Sequence, residues 1–285
     1  MKIIRVFPRR TNATPIDNMV FIGEPPLFRP KADEVHISCT FTWDMPEAER
    51  LFNLWGQYCP VVKLGGPAYG DSGSDFTPGM FLKKGFVITS RGCVKKCKHC
   101  FVSKREGGIR LLPIKDGFNI ADNNLLACPH EHVRAVLRML DRQPESAKFT
   151  GGLDISLVDR WIIDRLIKMR LKIAYIAYDR PDQKPIVERV VKEILDKSGW
   201  SNGTARNKIG CYILIGFAND TINAAIERLE WVKRLGIRPY PMFYQPPTMY
   251  RVKPPSDWSD LIRKYTRAWI SYSHNKRLKQ EVLAL

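Results

Sequence analysis

Between residues 84 and 244, short β-branched and apolar runs alternate with longer segments whose apolar residues recur every three or four positions. The short runs predict six strands, at residues 85–90, 118–122, 147–150, 172–178, 210–215 and 238–244. The longer segments predict helices, two of which have the clearest apolar faces: Val133, Val136, Leu137 and Leu140 on one, and Ile222, Ala225, Ile226 and Leu229 on the other. Strands that alternate with helices are typical of a parallel sheet. The pattern therefore predicts an α/β fold, with a partial (β/α)6 TIM-like barrel over residues 83–247.

The segment before this barrel has a simpler pattern. Residues 34–42 alternate like a strand, residues 46–55 place Leu51 and Trp55 on one helical face, and residues 60–66 form a short apolar run that ends in a glycine pair. Together with a glycine- and proline-rich linker, they predict a short βαβ appendage over residues 34–82. Residues 1–33 are rich in proline and arginine without periodicity, which predicts an irregular N-terminal arm.

The last segment, residues 248–285, is basic and aromatic. Ser256 is a suitable cap for a helix that carries Trp258, Tyr265 and Trp269 on one stripe. An aromatic stripe at helical spacing favours packing over base stacking, and the exposed Arg and Lys would remain available to a polyanion.

The charge of the chain bears on its partners. The 285 residues have a formal net charge of +17, which favours a nucleic acid or another anionic substrate as a partner. The alternative interpretation is a basic protein surface that binds no polyanion. No apolar stretch approaches the roughly 20 residues that span a bilayer, so no membrane partner is expected. The N-terminus lacks the apolar run of a signal peptide, and the seven mostly scattered cysteines argue against a disulfide framework, so we expect a cytoplasmic protein.

The candidate chemistry is concentrated in three cysteines, Cys93, Cys97 and Cys100, directly after the first predicted barrel strand. A closed zinc site needs four ligands, and His99 is too close to Cys100 in sequence for both to reach one ion easily. A four-iron cluster takes one thiolate per iron, so three thiolates leave one iron open to another molecule. The neighbouring lysines, Lys95, Lys96 and Lys98, would favour the thiolate forms. The spacing therefore predicts a metal-binding loop with an open coordination position.

Other polar groups allow two interpretations each. Asp122, Asn123 and Asn124 end the second predicted strand, where they would bind substrate or shape the turn. The run 128–132 contains one cysteine and two histidines, which suggests a metal site, but the start of a helix is the better explanation. The remaining cysteines are expected to be buried apolar residues: Cys39, Cys59, Cys128 and Cys211.

The run Arg91-Gly92-Cys93, with Cys97 and Cys100 after it, resembles the radical S-adenosylmethionine (radical SAM) superfamily over residues 84–247. The chain looks most like members that follow a cobalamin-type Rossmann domain, since residues 34–66 are similar to the end of that domain. Only a truncated remnant is present, and the Asp-x-His-x-x-Gly motif that ligates cobalt is absent, so no cobalamin is expected.

The resemblance implies a role for specific residues. The three cysteines would ligate a [4Fe-4S] cluster whose open iron is chelated by S-adenosylmethionine. Five residues at matching positions would contact that cofactor: His99, Gly151, Gly152, Asp179 and Gly216. Two departures are His99, where the superfamily usually has a carbocyclic aromatic residue, and the segment Gly151–Asp154, which lacks the usual glutamate. An electron donor such as flavodoxin or ferredoxin is implied as a partner.

Two functional hypotheses follow. In the first, the protein is an enzyme that cleaves S-adenosylmethionine reductively to a 5′-deoxyadenosyl radical, which abstracts hydrogen from an unknown substrate. The charge favours a nucleic-acid-derived or other anionic substrate, with a small metabolite or a peptide as alternatives. No catalytic side chain is assigned; the hydrogen donors suggested by residue type alone are Cys128, Cys211, Tyr178 and Tyr212. In the second hypothesis, the protein binds nucleic acid and its cysteines hold structural zinc or a structural cluster, without turnover of S-adenosylmethionine.

Overall fold

The computed structural model describes residues 1–70 and 76–266. The described residues form two compact units, one within residues 1–151 with 246–251 and one of residues 152–245 with 252–266. These units divide the chain differently from the four segments expected from sequence. Trp269 and the rest of residues 267–285, part of the predicted C-terminal extension, lie outside the described residues, as do residues 71–75 of the predicted linker.

The first unit contains a four-stranded parallel sheet of order β2-β1-β3-β4. Its elements are β1 (Ile3–Phe7), β2 (Val20–Ile22), β3 (Glu34–Ser38), α1 (Met45–Gly56) and β4 (Val62–Gly65). The expectation of an irregular arm over residues 1–33 is wrong, because β1 pairs with both β2 and β3 and lies inside the sheet. Its five residues, interrupted by Arg5, are too few to show a period, and only pairing with two neighbours defines the strand.

The core of this sheet is formed by alternate strand residues and by one face of α1. Its fully buried members are Ile4, Val6, Val35, Ile37, Cys39, Ala48, Leu51 and Trp55. The indole Nε1 of Trp55 donates a hydrogen bond to the carbonyl oxygen of Gly23 at 3.1 Å, so the largest core side chain is satisfied at its polar end. The predicted order of strand, helix and strand is thus observed as β3, α1 and β4, within a larger sheet.

The first unit also contains the start of the predicted barrel. Its elements are β5 (Phe86–Val87), β6 (Ser90–Arg91), α2 (Val102–Glu106), β7 (Arg110–Leu111), β8 (Asn119–Ile120), α3 (His130–Asp141) and β9 (Ala147–Leu153), whose last two residues belong to the second unit. Strands β5, β8 and β9 run parallel in that order, whereas β6 and β7 form an antiparallel pair. The strand expected at 85–90 therefore divides into β5 and β6. Helix α3 begins at His130, which confirms the helical interpretation of the run 128–132.

The second unit carries the later strands and helices. These are α4 (Arg160–Lys168), β10 (Leu171–Tyr178), α5 (Lys184–Ser198), α6 (Asn202–Lys208), β11 (Ile209–Ile215), α7 (Ile222–Arg234) and β12 (Arg238–Phe243). Strands β10, β11 and β12 are parallel neighbours. The hydroxyl of Thr221 accepts a hydrogen bond from the backbone N–H of Ala224 at 3.3 Å and so caps α7.

A further helix covers residues 256–266. The Trp258 ring packs against the Phe243 ring with centroids 5.7 Å apart, and the buried Tyr265 donates its hydroxyl hydrogen to Glu230. These contacts confirm the packing interpretation of the aromatic stripe for the two aromatic residues that the structure describes.

Each of the six predicted barrel strands matches an observed strand, and the mixed α/β class with parallel sheets is confirmed. The open, partial (β/α)6 barrel stays a prediction. Among residues 1–70 and 76–266, no helix combines the length and the apolar character needed to cross a membrane.

Candidate functional site

The three clustered cysteines lie in a segment that follows β6, which we call the cysteine loop and define as residues 92–101. Cys93, Cys97 and Cys100 are all half-buried. The backbone N–H of Cys93 donates to the Gly107 carbonyl oxygen, and that of Cys100 donates to the Cys97 carbonyl oxygen, both at 3.1 Å. The first bond ties the start of the loop to Gly107, the second closes a turn within the loop, and the thiols remain partly accessible.

Gly92 allows the chain to enter this loop. Its φ is +86°, a conformation that strongly favours glycine. A Cβ atom at this position would lie 2.1 Å from the carbonyl oxygen of Gly108, so a larger residue would push the two backbone segments apart. The glycine before the first cysteine is therefore required by a close approach of backbone to backbone.

Asp122 anchors the segment that leads into the loop. Only 2% of this residue is exposed. Its carboxylate accepts hydrogen bonds from the Thr89 backbone N–H at 2.6 Å, the Thr89 hydroxyl at 2.6 Å and the Ser90 hydroxyl at 2.8 Å. Burial raises the pKa of Asp122, while these hydrogen bonds lower it. The bond to the Thr89 N–H explains the break between β5 and β6, because that N–H faces a side chain instead of a neighbouring strand.

The two residues after Asp122 contact the loop itself. Asn123 Oδ1 accepts a hydrogen bond from the Gly92 backbone N–H at 3.0 Å, and Asn124 Nδ2 donates to Cys93 Sγ at 3.5 Å. The backbone N–H of Lys95 also donates to Cys93 Sγ, at 3.4 Å. Of the two interpretations left open by the sequence, these contacts favour turn shaping for the run Asp122–Asn124.

A buried ion-pair cluster next to the loop escaped the sequence analysis. The Glu106 side chain is 1% exposed and lies between Arg91 and Arg105. Its Oε1 accepts hydrogen bonds from Arg91 Nη2 at 3.1 Å and from Arg105 Nη2 at 2.6 Å. Arg91 Nε is also 3.0 Å from Oε2, but their geometry is not that of a hydrogen bond. One signal was available in the sequence: Glu106 is the single acidic residue between positions 91 and 115.

The donor chemistry of the loop fits an iron–sulfur cluster. Three thiols occur within eight residues, and two N–H groups are directed at the sulfur of Cys93, as is common for sulfur atoms that carry negative charge. In the part of the chain that the structure describes, no three side chains of His, Cys, Asp or Glu are grouped so that they could hold a metal ion. The ligand assignment of Cys93, Cys97 and Cys100 therefore stays a prediction.

Two of the other expected site residues belong to the same unit as the cysteines. His99 is half-buried within the loop. Gly151 lies near the end of β9, where a Cβ atom would be 2.4 Å from the carbonyl oxygen of Asp122. The structure thus brings Gly151 against the residue that anchors the loop, which the sequence did not indicate.

The remaining three expected residues lie at or next to the carboxyl ends of strands in the second unit. Gly152 has a φ of +88°, and Gly216 has a φ of +71° with its N–H donated to Asp220 Oδ2 at 2.8 Å. Asp179 follows β10 and donates its backbone N–H to Gln183 Oε1 at 2.8 Å. All three positions match the strand ends at which barrel enzymes place their ligands.

No family model and no curated protein matches this chain. The functional argument therefore rests on the residues themselves.

The side chains suggested as hydrogen donors differ in orientation. Tyr178 packs on Trp231 of α7, with ring centroids 5.4 Å apart, and Cys211 is fully buried. Cys128 is also buried, and burial raises the pKa of its thiol. Tyr212 stacks on Tyr175 with centroids 4.2 Å apart, and its neighbours Cys211 and Ile213 point to the opposite side of β11. The stacked tyrosines therefore occupy the face of β11 opposite to the one on which Cys211 is buried.

Proposed function

We propose that the protein is a radical SAM enzyme that acts on a small anionic or nucleic-acid-derived substrate. One observation carries this proposal: the Cys-x3-Cys-x2-Cys loop comes after β5 and the short β6, β5 runs parallel to β8, and side chains just past the carboxyl end of β8 hold the loop. The carboxyl ends of parallel strands are where barrel enzymes gather their chemistry.

Cys93, Cys97 and Cys100 would hold a [4Fe-4S] cluster. When bound, this cluster would supply the electron for reductive cleavage of S-adenosylmethionine at the iron that no cysteine ligates. The N–H groups of Asn124 and Lys95 would stabilise negative charge on the sulfur of Cys93, and Asn123 would hold the entry to the loop.

Backbone groups and one carboxylate would position S-adenosylmethionine. Gly151 and Gly152 allow close approach because neither carries a side chain, and Asp179 suits vicinal ribose hydroxyls because a carboxylate accepts both hydrogen bonds. His99 and Gly216 would lie against the adenine. This assignment includes an electron donor such as flavodoxin or ferredoxin, a reducing, cytoplasmic setting, and no cobalamin.

The test is anaerobic. The protein is reconstituted with iron and sulfide, its absorption is recorded, and dithionite and S-adenosylmethionine are added while 5′-deoxyadenosine is measured. We expect a brown protein that releases 5′-deoxyadenosine. Cys97→Ala should abolish the release, whereas Cys59→Ala, in the core of the four-stranded sheet, should not.

A colourless protein that retains zinc and releases no 5′-deoxyadenosine would overturn the proposal. That result would instead favour a nucleic-acid-binding protein with a structural metal site, whose affinity should fall steeply with salt.

A further inference from the structure

The first unit contains a cavity of about 670 Å³, whose walls include Ile37, Gly65, Ile88 and Ala121. Ile37 and Gly65 lie at the carboxyl ends of β3 and β4, and Ile88 and Ala121 directly follow β5 and β8. Four parallel strands from two sheets thus direct their carboxyl ends at one space. Open parallel sheets bind their ligands in the crevice outside these strand ends.

The topology of the four-stranded sheet marks the same place. In the order β2-β1-β3-β4, the chain passes from β1 to β2 on one side and then crosses to β3 and β4 on the other side. The direction in which strands are added therefore reverses between β1 and β3, which is the topological switch point of the sheet. A second cavity, of about 390 Å³, has Arg9 after β1 and Thr40 after β3 in its walls. It shares Ser38, Thr40, Phe81 and Leu82 with the larger cavity. The two cavities therefore adjoin at the switch point.

The walls of the larger cavity are mainly apolar. The apolar side chains include Ile37, Leu64, Phe81, Leu82, Ile88 and Leu112. Three hydroxyls, of Ser38, Thr40 and Thr77, interrupt this surface. A volume in the range of a few hundred cubic ångströms with few polar groups suits one small organic molecule.

The charged groups on these walls have one sign. Lys63 and Arg91 are wall residues, and none of the wall residues that the structure describes is Asp or Glu. Lys63 Nζ and His36 Nε2 share one carboxylate behind the wall, that of Glu34, at 2.7 and 2.6 Å. Arg91 and Arg105 share the single carboxylate of Glu106, so these three side chains together carry one excess positive charge, and the buried Asp122 also attracts Arg91 electrostatically. An anionic group of a ligand would balance the excess charge, because buried charges are stabilised by partners of opposite sign.

We propose that this cavity, the Arg91 cavity, binds a small organic anion: an apolar body that carries a carboxylate, phosphate or sulfonate group. The body would pack against Phe81, Ile88 and Leu112, and the anionic group would face Arg91 and Lys63. The identity of this anion rests on the proposed function. Because Arg91 comes two residues before Cys93 in the chain, we assign the anion as the substrate of the proposed enzyme.

A matched pair of fluorescent probes tests the site in the full chain. 8-Anilinonaphthalene-1-sulfonate has an apolar body with a sulfonate, and N-phenyl-1-naphthylamine has the same body without charge. At about 0.15 M salt, where long-range attraction is screened, we expect one saturable sulfonate site per chain, with affinity at least tenfold above that of the neutral probe.

Three variants localise the binding. Ala121→Phe fills the cavity, and Thr77→Trp obstructs it from an exposed wall position, so each should weaken both probes at least tenfold. If Ala121→Phe fails to fold, Thr77→Trp still tests the cavity. Lys63→Gln should weaken the sulfonate probe and leave the neutral probe unchanged. The matched controls on exposed surface, Asn207→Trp and Lys31→Gln, should change neither affinity.

Equal affinity for the two probes, or sulfonate binding that Thr77→Trp does not weaken, would overturn the proposal. The assay uses no S-adenosylmethionine and no reductant, so its outcome is independent of the cleavage test. Probe binding without cofactor cleavage would retain the anion site and reject the radical SAM function. Cleavage without probe binding would retain the radical SAM function and reject the anion site.

Discussion

The side-chain amide of Asn124 donates a hydrogen bond to Sγ of Cys93 at 3.5 Å, across 31 positions of the chain. This contact joins the end of β8 to the first cysteine of the loop. Hydrogen bonds to cluster sulfur atoms stabilise added negative charge and raise the reduction potential. Asn124 is therefore a positioning residue for the proposed cluster, although it is not one of the predicted ligands.

Replacing Asn124 with alanine should make the cluster of the reconstituted protein harder to reduce, because one N–H donor to sulfur is lost. We expect a more negative midpoint potential in a redox titration and release of 5′-deoxyadenosine reduced by about 10-fold or more. Asn207→Ala, on exposed surface of α6, is the control and should leave both values unchanged. An unaltered potential in Asn124→Ala would contradict this role.

Glu106→Gln should destabilise the fold strongly. The substitution leaves the cationic side chains of Arg91 and Arg105 together around a neutral amide, in a place where the Glu106 side chain is 1% exposed. Removing one partner of a buried ion pair costs about 3–5 kcal/mol, which urea denaturation would measure. Glu131→Gln, at an exposed position in the first turn of α3, should change the free energy of unfolding by less than about 0.5 kcal/mol. A similar, small loss in both variants would disprove the ion-pair argument.

Gly151→Ala and Gly203→Ala should have opposite effects. At Gly151 a Cβ atom would lie 2.4 Å from the Asp122 carbonyl oxygen, so β8 and β9 must separate, at a cost of about 1–3 kcal/mol. Gly203 lies in α6 with space around it, so alanine there should raise stability by roughly 0.5–1 kcal/mol. Thermal unfolding of both variants provides the comparison. Stabilisation by Gly151→Ala would show that the Asp122 carbonyl oxygen leaves room for a Cβ atom at position 151.

His132 should make stability depend on pH. Its Nε2 is 3.1 Å from the Thr89 hydroxyl, and burial lowers the pKa of the imidazole below its usual 6.5. Below that pH the unfolded chain binds a proton that the folded chain does not, so the free energy of unfolding falls as the pH decreases.

The variant His132→Gln should therefore show a smaller loss of stability than the wild type between about pH 7 and pH 5. A variant without a titratable group, Asn207→Ala on the exposed surface of α6, provides the control and should retain the wild-type pH dependence. Denaturant titrations across this range measure both, and parallel curves for wild type and His132→Gln would rule out the assignment.

The strands of the second unit were well predicted from sequence. Strands β10 and β11 are long, mostly apolar runs, such as Ile209–Ile215, whose composition and bounding turns are local properties. Strand β1 was missed because it is short and interrupted by Arg5, and the division of β5 from β6 was missed because its cause is a side chain more than 30 positions away.

In the candidate site too, features that depend on neighbouring residues were predicted, and features that depend on residues far apart in the chain were not. The spacing of Cys93, Cys97 and Cys100 is a local property of the chain, so the sequence by itself was enough to predict a metal-binding loop. The sequence also set the net charge of +17 and the α/β class, since composition and short-range periodicity decide both.

Only the tertiary structure decided what supports that loop. The contacts from Asp122, Asn123 and Asn124 to the segment 89–93, the burial of Glu106 between two arginines and the Arg91 cavity all join residues from separate elements. A hydrogen bond or a buried ion pair forms only when folding brings both partners within about 3 Å, and no local pattern in the chain encodes that distance.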